Sequence, residues 1–240
     1  LLLAHRDLIH TLFNCDAQEK DAMNVSDAVA SRKSVRAFTD KKVDTSLILS
    51  LLEKAARAPS GGNLQPWRIF VINDASSGRF QQFLASKTEQ EDPAYDVYPA
   101  QLSEPYRSSR FKVGEDMYAL LGIPREDRGG RIRRLMENYQ FFGAPSAFFC
   151  FVDHQMGKPQ WSDLGMFLQT FMLLATEAGL ATCAQEIWAT RPQTVAEFVG
   201  APPELGIFCG MAIGYEDTEA PVNKLISERE PQSTFIKVIT

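Results

Sequence analysis

The stretch LILSLLEKAARAPSGGNLQPWRIFVI, residues 47–72, joins two elements of different periodicity through a loop of unusual composition. Its first part spaces apolar residues as a helix does, and WRIFVI is a short apolar run typical of a strand. An ordinary helix-to-strand connection needs little more than a glycine and a proline. This loop also contains Ser60, Asn63 and Gln65, whose side chains donate and accept hydrogen bonds. The composition indicates either a ligand-binding loop or a capped turn with polar decoration.

Outward from this stretch, helical and strand-like segments are mixed along the whole chain. Strands are predicted over residues 67–72, 146–153, 206–215 and 234–239. Helices are predicted over residues 25–32, 44–58, 77–87, 131–143, 162–180 and 194–201. The helix over 162–180 is apolar nearly all round, which predicts burial in the core or against another chain. This mixture predicts an α+β or α/β sandwich with a central sheet.

Composition excludes several classes of protein. The formal net charge of −5 disfavours a nucleic-acid binder, because a basic face is needed to neutralise phosphates. No apolar run approaches the roughly 20 residues of a membrane span. The three histidines lack metal-ligand spacing. Four widely spaced cysteines predict buried, reduced thiols in a cytoplasmic protein: Cys15, Cys150, Cys183 and Cys209.

Two segments stand apart from the predicted core. Residues 1–22 contain apolar residues that fit an amphipathic helix, but they lack a small-residue cleavage site and do not resemble a signal peptide. Because the chain begins at Leu1, either residues precede it or Met23 is the native start, which would make 1–22 an extension. Residues 89–124 are rich in acids, tyrosines and prolines, which indicates an excursion from the core. We therefore expect one domain over residues 23–240.

Two basic clusters are candidate phosphate sites. SRKSVRAF places Arg32, Lys33, Ser34 and Arg36 within five residues, and guanidinium and ammonium groups bind phosphate well. The alternative is a helix end whose cations complement the helix dipole. NKLISEREP contributes Lys224 and Arg229, for which ordinary surface charge is the alternative.

The usual nucleotide-binding motifs are missing. No G-x-x-x-x-G-K-[ST] is present, and no strand is followed by G-x-G-x-x-G. Gly206, Gly210 and Gly214 lie four apart in a strand-like run, where close packing explains them better than a ligand does.

Four motifs, in order, resemble those of the nitroreductase family of FMN-dependent oxidoreductases. They are SRKSVRAF, APSGGNLQPW, SDLGMFLQTFMLLATEAGLATCAQE and GYEDTEAPVNKLISEREP. The resemblance runs from about Val25 to the C-terminus. It implies an α+β fold with a central, mostly antiparallel sheet flanked by helices, in an intertwined homodimer with FMN at the interface. Residues 89–143 occupy the place of the family's variable active-site cover.

The resemblance also implies the residues that bind FMN. The residues of the first basic cluster contact the phosphate, ribityl chain and pyrimidine ring of FMN. The 58–67 loop reaches the flavin of the partner subunit. TCAQEIW lacks a proline that relatives often have, so the residues at the flavin N5 and O4 edge rest on a weaker match. The implied cofactor-binding residues are Arg32, Lys33, Ser34, Arg36, Pro59, Ser60, Asn63, Gln185, Glu186 and Arg229, and Arg32 or Lys33 is the candidate cation near N1.

Reduction of a nitroaromatic or quinone-like acceptor by NADPH or NADH is the implied reaction. Hydride passes through flavin N5 in a ping-pong sequence, and the protein supplies position and electrostatics. Aromatic residues of the cover are candidate contacts for a flat acceptor, with core packing as the alternative: Tyr95, Tyr98, Phe141 and Phe142. Cations there favour an acidic substrate or the NADPH 2′-phosphate, or form a solvated helix face: Arg107, Arg110, Arg131, Arg133 and Arg134.

Three other functions remain open on the sequence. A related branch of the family would reduce an enone, remove a halogen from a phenol or break down the flavin with oxygen. A second possibility is a protein that binds a phosphate-bearing ligand without turning it over. The third is an interaction protein without a cofactor.

Overall fold

The computed structural model describes residues 23–240, in which four strands form one antiparallel sheet. The extension predicted for residues 1–22 lies outside this range. The strands are β1 Arg68–Ile72, β2 Ser146–Asp153, β3 Ala181–Gln185 and β4 Leu205–Gly214, in the spatial order β1-β2-β4-β3. Three of the four predicted strands are thereby confirmed, and β3 was not predicted as a strand.

Eight α-helices surround this sheet within the described range. They are α1 Val25–Ser31, α2 Thr45–Ala55, α3 Ala75–Ser86, α4 Tyr106–Leu120, α5 Arg128–Met136, α6 Lys158–Glu177, α7 Pro192–Val199 and α8 Gln232–Phe235. The predicted α+β sandwich with an antiparallel sheet and flanking helices is confirmed. Every helix here is too short or too polar to span a bilayer.

Alternate residues of β2 face two separate hydrophobic layers. Phe148 and Cys150 pack in a layer with helices α2 and α6, and Phe149 and Phe151 pack in a layer with α3 and α7. All four are fully buried. Because successive side chains of a strand point to opposite faces, an unbroken apolar run such as SAFFCFVD serves a sheet covered on both sides.

The glycines of β4 mark places where large side chains lie against the strand. A Cβ on Gly210 would overlap the indole of Trp188, and one on Gly206 would lie 2.8 Å from Cε1 of His154. At Gly214 the added Cβ would lie 2.9 Å from the ring of Phe38. The prediction that close packing explains these glycines is confirmed.

The C-terminal segment differs from its prediction. Residues 234–239 were expected to form a strand, but the described chain has the short helix α8 followed by irregular backbone. The TFIKVI pattern has strand propensity, yet a strand also needs a partner, and none of the described strands pairs with it. Residues 226–240 are largely exposed.

The excursion predicted for residues 89–124 is correct in its position outside the core. It nevertheless contains a helix that was not predicted, α4, in which no residue is buried. The helix predicted over 131–143 ends at Met136 as α5 and continues as a 3-10 helix over Glu137–Gly143. Both elements lie beside the end of β3, where they form one side of a cleft.

Candidate functional site

A cleft of about 890 Å³ lies between the end of β3 and the segment that carries α4 and α5. This volume is usual for a cofactor or small-molecule site. Its lining brings together residues that are far apart in the sequence, including Arg36, Tyr98, Arg110, Arg134, Phe142, Gln185 and Glu186.

The first basic cluster reaches this cleft through Arg36. Ser34 forms an isolated parallel bridge with Thr182, next to Cys183 of β3, and so places the cluster beside the sheet. Lys33 is turned to other partners, since its Nζ lies 2.7 Å from Oε1 of Glu216 and donates to the carbonyl of Asn223. Arg32 is half-buried, and its backbone N–H caps α1. Arg36 is thus the member of this cluster that lines the cleft.

Asn223 organises the same segment, and sequence reasoning missed it. Its side chain is buried, accepts a hydrogen bond from the backbone N–H of Arg36 at 2.8 Å and donates to the carbonyls of Ala37 and Asp217. It lies in the same motif as Lys224 and Arg229. That motif was identified by its positive charges, and asparagine is neutral, so the search for cations did not find it. The contact spans 187 residues of sequence, so it depends on the fold.

Gln185 and Glu186 lie where β3 ends in the cleft. The buried Gln185 amide donates to the carbonyl of Asn138 at 2.8 Å, and its oxygen accepts from Nε1 of Trp188 at 3.4 Å. Glu186 is exposed as a residue, but partial burial of its carboxyl raises the pKa of that group. Gln185 therefore joins the sheet to the cover segment, while Glu186 presents a carboxyl to the cleft.

Arg134 is the buried arginine of the cleft, with a side chain only 6% exposed. Its Nη2 donates to the carbonyl of Arg36 at 3.1 Å, its Nη1 pairs with Glu137, and its guanidinium lies 4.9 Å from the Phe142 ring centroid. Desolvation lowers its pKa, and its buried Nε lacks a hydrogen-bond partner among the described residues. A solvated helix face does not describe Arg134, although it does describe the exposed Arg133.

Phe141 and Phe142 adopt left-handed backbone conformations, with φ of 50° and 55°. Bulky side chains rarely do so, and each such residue costs about 1–3 kcal/mol. Phe141 is held in an aromatic cluster, with its ring centroid 4.9 Å from that of Trp188. Phe142 is also buried, but it lines the cleft. The strained pair therefore places one ring in the core and the other at the site.

The two tyrosines of the cover have different positions. Tyr98 is exposed on the cleft, with the guanidinium of Arg110 stacked 4.0 Å from its ring centroid. Tyr95 lines a separate cavity of about 370 Å³, where its hydroxyl donates to the carbonyl of Phe208 and its ring meets Trp161 edge-on. Burial raises the pKa of the Tyr95 hydroxyl.

The 58–67 loop is held in an unusual conformation by its own polar groups. Three of its residues have positive φ: 58° at Gly62, 57° at Asn63 and 49° at Gln65. The hydroxyl of Ser60 accepts a hydrogen bond from the Gln65 N–H at 3.0 Å. The Asn63 amide side chain is exposed and makes no hydrogen bond to any residue in 23–240. Pro59 is exposed too, and none of these residues lines the 890 Å³ cleft.

Arg229 lies in a neighbouring cavity of about 700 Å³, together with Lys112 of α4. It is exposed, and its Nη1 donates to the carbonyl and the hydroxyl of Ser227 at 3.0 and 2.8 Å. Phe111 and Val113 line both this cavity and the cleft, so the two are adjacent. Lys112 is paired with Asp116 and Glu228, at 2.7 and 3.2 Å, so Arg229 is the cation of this cavity that has no carboxylate partner among the described residues.

Residues 23–240 contain no group of three His, Cys, Asp or Glu side chains placed to hold a metal ion. Cys150, Cys183 and Cys209 are free and buried.

Comparison with known proteins gives a consistent result. The model of the nitroreductase family matches residues 29–215. A 4-nitrobenzoate reductase from Pseudomonas putida is 37% identical over 210 residues, which cover 86% of this chain and 92% of that protein.

Two solved structures have the same fold. One is the FMN and NADPH-dependent nitroreductase NfnB from Sphigopyxis sp. strain HMH, with a TM-score of 0.87 and 44% identity over 91% of this chain and 100% of that one. The other is the FMN-dependent nitroreductase NfnB from Mycobacterium smegmatis in complex with NADPH, with a TM-score of 0.84 and 25% identity over 90% of this chain and 100% of that one.

Proposed function

The chain belongs to the nitroreductase family, and on that premise we propose that it uses FMN and NADPH or NADH to reduce the nitro group of nitroaromatic compounds. The observation that carries the proposal is the convergence of Arg36, Gln185 and Glu186 on one cleft. These residues belong to two separate motifs of the resemblance and meet only in the folded chain.

The residues of the cleft fit an FMN molecule. Arg36 supplies a cation, and the buried Arg134 next to it has a donor, Nε, that meets no partner within residues 23–240. A flavin carries several acceptors on its pyrimidine edge, and a buried donor is costly unless it meets one. Phe142 offers an apolar face in the same cleft. The residues proposed to hold FMN remain Arg32, Lys33, Ser34, Arg36, Pro59, Ser60, Asn63, Gln185, Glu186 and Arg229.

Their roles differ according to their contacts. Lys33 is committed to Glu216 and Asn223, so we assign it to positioning the segment and assign the cation at the pyrimidine edge to Arg36. When bound, FMN supplies the hydride chemistry that links the nicotinamide donor to the acceptor. Arg36 stabilises negative charge that develops in the cleft, and Gln185 holds the cover through Asn138. Tyr98 and Phe142 remain the proposed acceptor contacts on the cleft itself, whereas Tyr95 lies in the separate cavity and Phe141 packs against Trp188.

A purified sample is expected to be yellow and to release a flavin with one phosphate on heating. Donor and acceptor are proposed to occupy the cleft in turn, so initial rates should give parallel double-reciprocal lines when both are varied. Nitrobenzene and 4-nitrobenzoate are the test acceptors, and a halophenol and an enone are the comparison substrates. Anaerobic NADPH that leaves the yellow colour unbleached would identify a binding protein, and a protein that stays colourless after FMN addition would contradict the proposal altogether.

We further propose that the protein is a homodimer in which the 58–67 loop reaches the cleft of the partner subunit. Within residues 23–240, that loop does not line the chain's own cleft, and its Asn63 amide points to solvent. Large apolar side chains are also exposed on α1, α6 and the C-terminal segment, for example Val25 at 74% and Ile239 at 80%. Exposed apolar side chains in this number are consistent with burial against a second subunit.

Deletion of residues 232–240 is expected to convert dimer to monomer and to release FMN together. The segment includes Phe235, Ile236, Val238 and Ile239, which are exposed in the single chain and would be buried against a partner. Size-exclusion chromatography with light scattering measures the molar mass in solution, and the flavin-to-protein absorbance ratio measures the FMN content. The control is replacement of Thr240 alone by Ala. A truncated protein that stays dimeric and yellow would refute the proposed role of this segment.

A cytoplasmic location is also proposed. The three described cysteines are free and buried, as in proteins of reducing compartments. A reducing compartment also supplies reduced nicotinamide.

A further inference from the structure

Arg110 differs from three of the other four arginines of the cleft, because each of those three is paired with a glutamate. The fourth, Arg36, also has no carboxylate partner among the described residues, but its Nη1 donates to the carbonyl of Ser34 and we assign it to FMN. Arg107 lies 2.7 Å from Glu104, Arg131 donates to both carboxylate oxygens of Glu115, and Arg134 pairs with Glu137. Arg110 has no carboxylate partner among the described residues, and its guanidinium lies over the ring of Tyr98 instead.

Stacking on Tyr98 prepares the guanidinium for an anion. A guanidinium that lies over a ring keeps its N–H groups at its edge, where they are free to donate. The stack also restricts the orientation of a long side chain, which lowers the entropy lost when a ligand binds. A planar fork of this kind matches a carboxylate with two parallel hydrogen bonds.

The cleft around Arg110 also carries more positive than negative unpaired charge. Three of its five arginines are paired with Glu104, Glu115 and Glu137, which leaves Arg36 and Arg110 against the one unpaired carboxyl of the lining, that of Glu186. Tyr98 and Phe142 add aromatic surface. The cleft therefore offers a flat apolar surface for a ring and an unpaired guanidinium for a negative group.

We propose that Arg110, stacked on Tyr98, binds the carboxylate of a nitroaromatic acid, and so makes the cleft selective for anionic over neutral nitroarenes. This inference rests on the proposed function, because it concerns the acceptor of that reaction. The NADPH 2′-phosphate is another anion that one guanidinium would attract. We assign the carboxylate because a single stacked guanidinium beside aromatic surface matches a benzoate-like group, whereas a phosphate dianion usually gathers several cations.

The test compares Arg110→Gln with the parent, both loaded with FMN. Arg110→Lys keeps the charge but loses the planar fork. Arg133→Gln is the matched control, because it removes one arginine from an exposed position on α5 outside the cleft lining. Benzoate and its neutral analogue benzamide are titrated by calorimetry. Steady-state rates are then measured with 4-nitrobenzoate and 4-nitrobenzamide, using NADPH and NADH as donors.

Arg110→Gln is expected to weaken benzoate binding and raise the KM for 4-nitrobenzoate by about 10-fold, the lower end for a hydrogen-bonded charge at an exposed site. Benzamide and 4-nitrobenzamide should change by less than about twofold on the same grounds. Arg110→Lys should fall between Arg110→Gln and the parent, and Arg133→Gln should match the parent.

Equal effects on the acid and the amide, or no effect on either, would overturn the proposal that Arg110 binds the carboxylate. A rise in KM confined to NADPH, with NADH unaffected, would also overturn it and assign Arg110 to the 2′-phosphate. If the parent reduces no nitroarene, the proposed function fails, but the benzoate and benzamide titrations still decide whether Arg110 binds a carboxylate.

Discussion

Trp188→Ala is expected to lower the free energy of unfolding by about 3–5 kcal/mol, the usual cost of truncating a large buried aromatic residue. The indole is fully buried, and it fills the space left by the missing side chain of Gly210. Four aromatic rings lie with centroids within 5.5 Å of it, namely Phe80, Phe141, Phe149 and Tyr139. Removing it leaves a cavity in the layer beneath the cleft.

Loss of Trp188 should also affect the site. Its Nε1 donates to Gln185, and it packs on Phe141, which precedes the cleft residue Phe142. Urea denaturation at fixed protein and FMN concentrations measures the stability change. Trp188→Phe is the control, since it keeps an aromatic ring and loses the hydrogen bond and part of the volume. A decrease below about 1 kcal/mol for Trp188→Ala would show that this layer repacks and that the ring does not support the cleft.

Arg229→Ala is expected to weaken FMN binding by roughly 10- to 150-fold, the range for a charge-assisted hydrogen bond to phosphate. Arg229 lines a cavity next to the cleft, and its present partners are backbone and hydroxyl groups of its own loop. These are weaker partners than a phosphate, so the guanidinium is available to a ligand. Fluorescence titration of the apoprotein with FMN gives the affinity.

Turnover at saturating FMN separates binding from chemistry in this variant. Because the phosphate is remote from the reactive edge of the flavin, kcat should return to near the parent value. Arg79→Ala, an exposed arginine on α3, is the charge-matched control. Unchanged affinity in Arg229→Ala would place the phosphate elsewhere, and a kcat that excess FMN does not restore would mean that Arg229 supports the reactive part of the site.

The local sequence pattern was sufficient to predict an element when its side chains have the same environment along its whole length. SAFFCFVD in β2 is buried on both faces, and its unbroken apolar run shows this directly. Helix α6 spans Lys158–Glu177 and ends before Gly179, as its apolar content and terminal glycine predict. TFIKVI shows the limit of such reasoning, because propensity describes a residue's preference, whereas a strand forms only if another strand is placed beside it.

The sequence by itself determined the mixture of helices and strands around a central sheet, three of the four strands, the close packing at the glycines of β4 and the motifs that indicate the family. Only the tertiary structure decided which cations meet the cleft: Lys33 is paired with Glu216, Arg134 is buried against the backbone of Arg36, and Arg110 is left for a ligand. The physical reason is range. Periodicity and turn chemistry act over a few residues, whereas the contact of Arg134 with Arg36 and that of Lys33 with Asn223 join groups that are 98 and 190 positions apart.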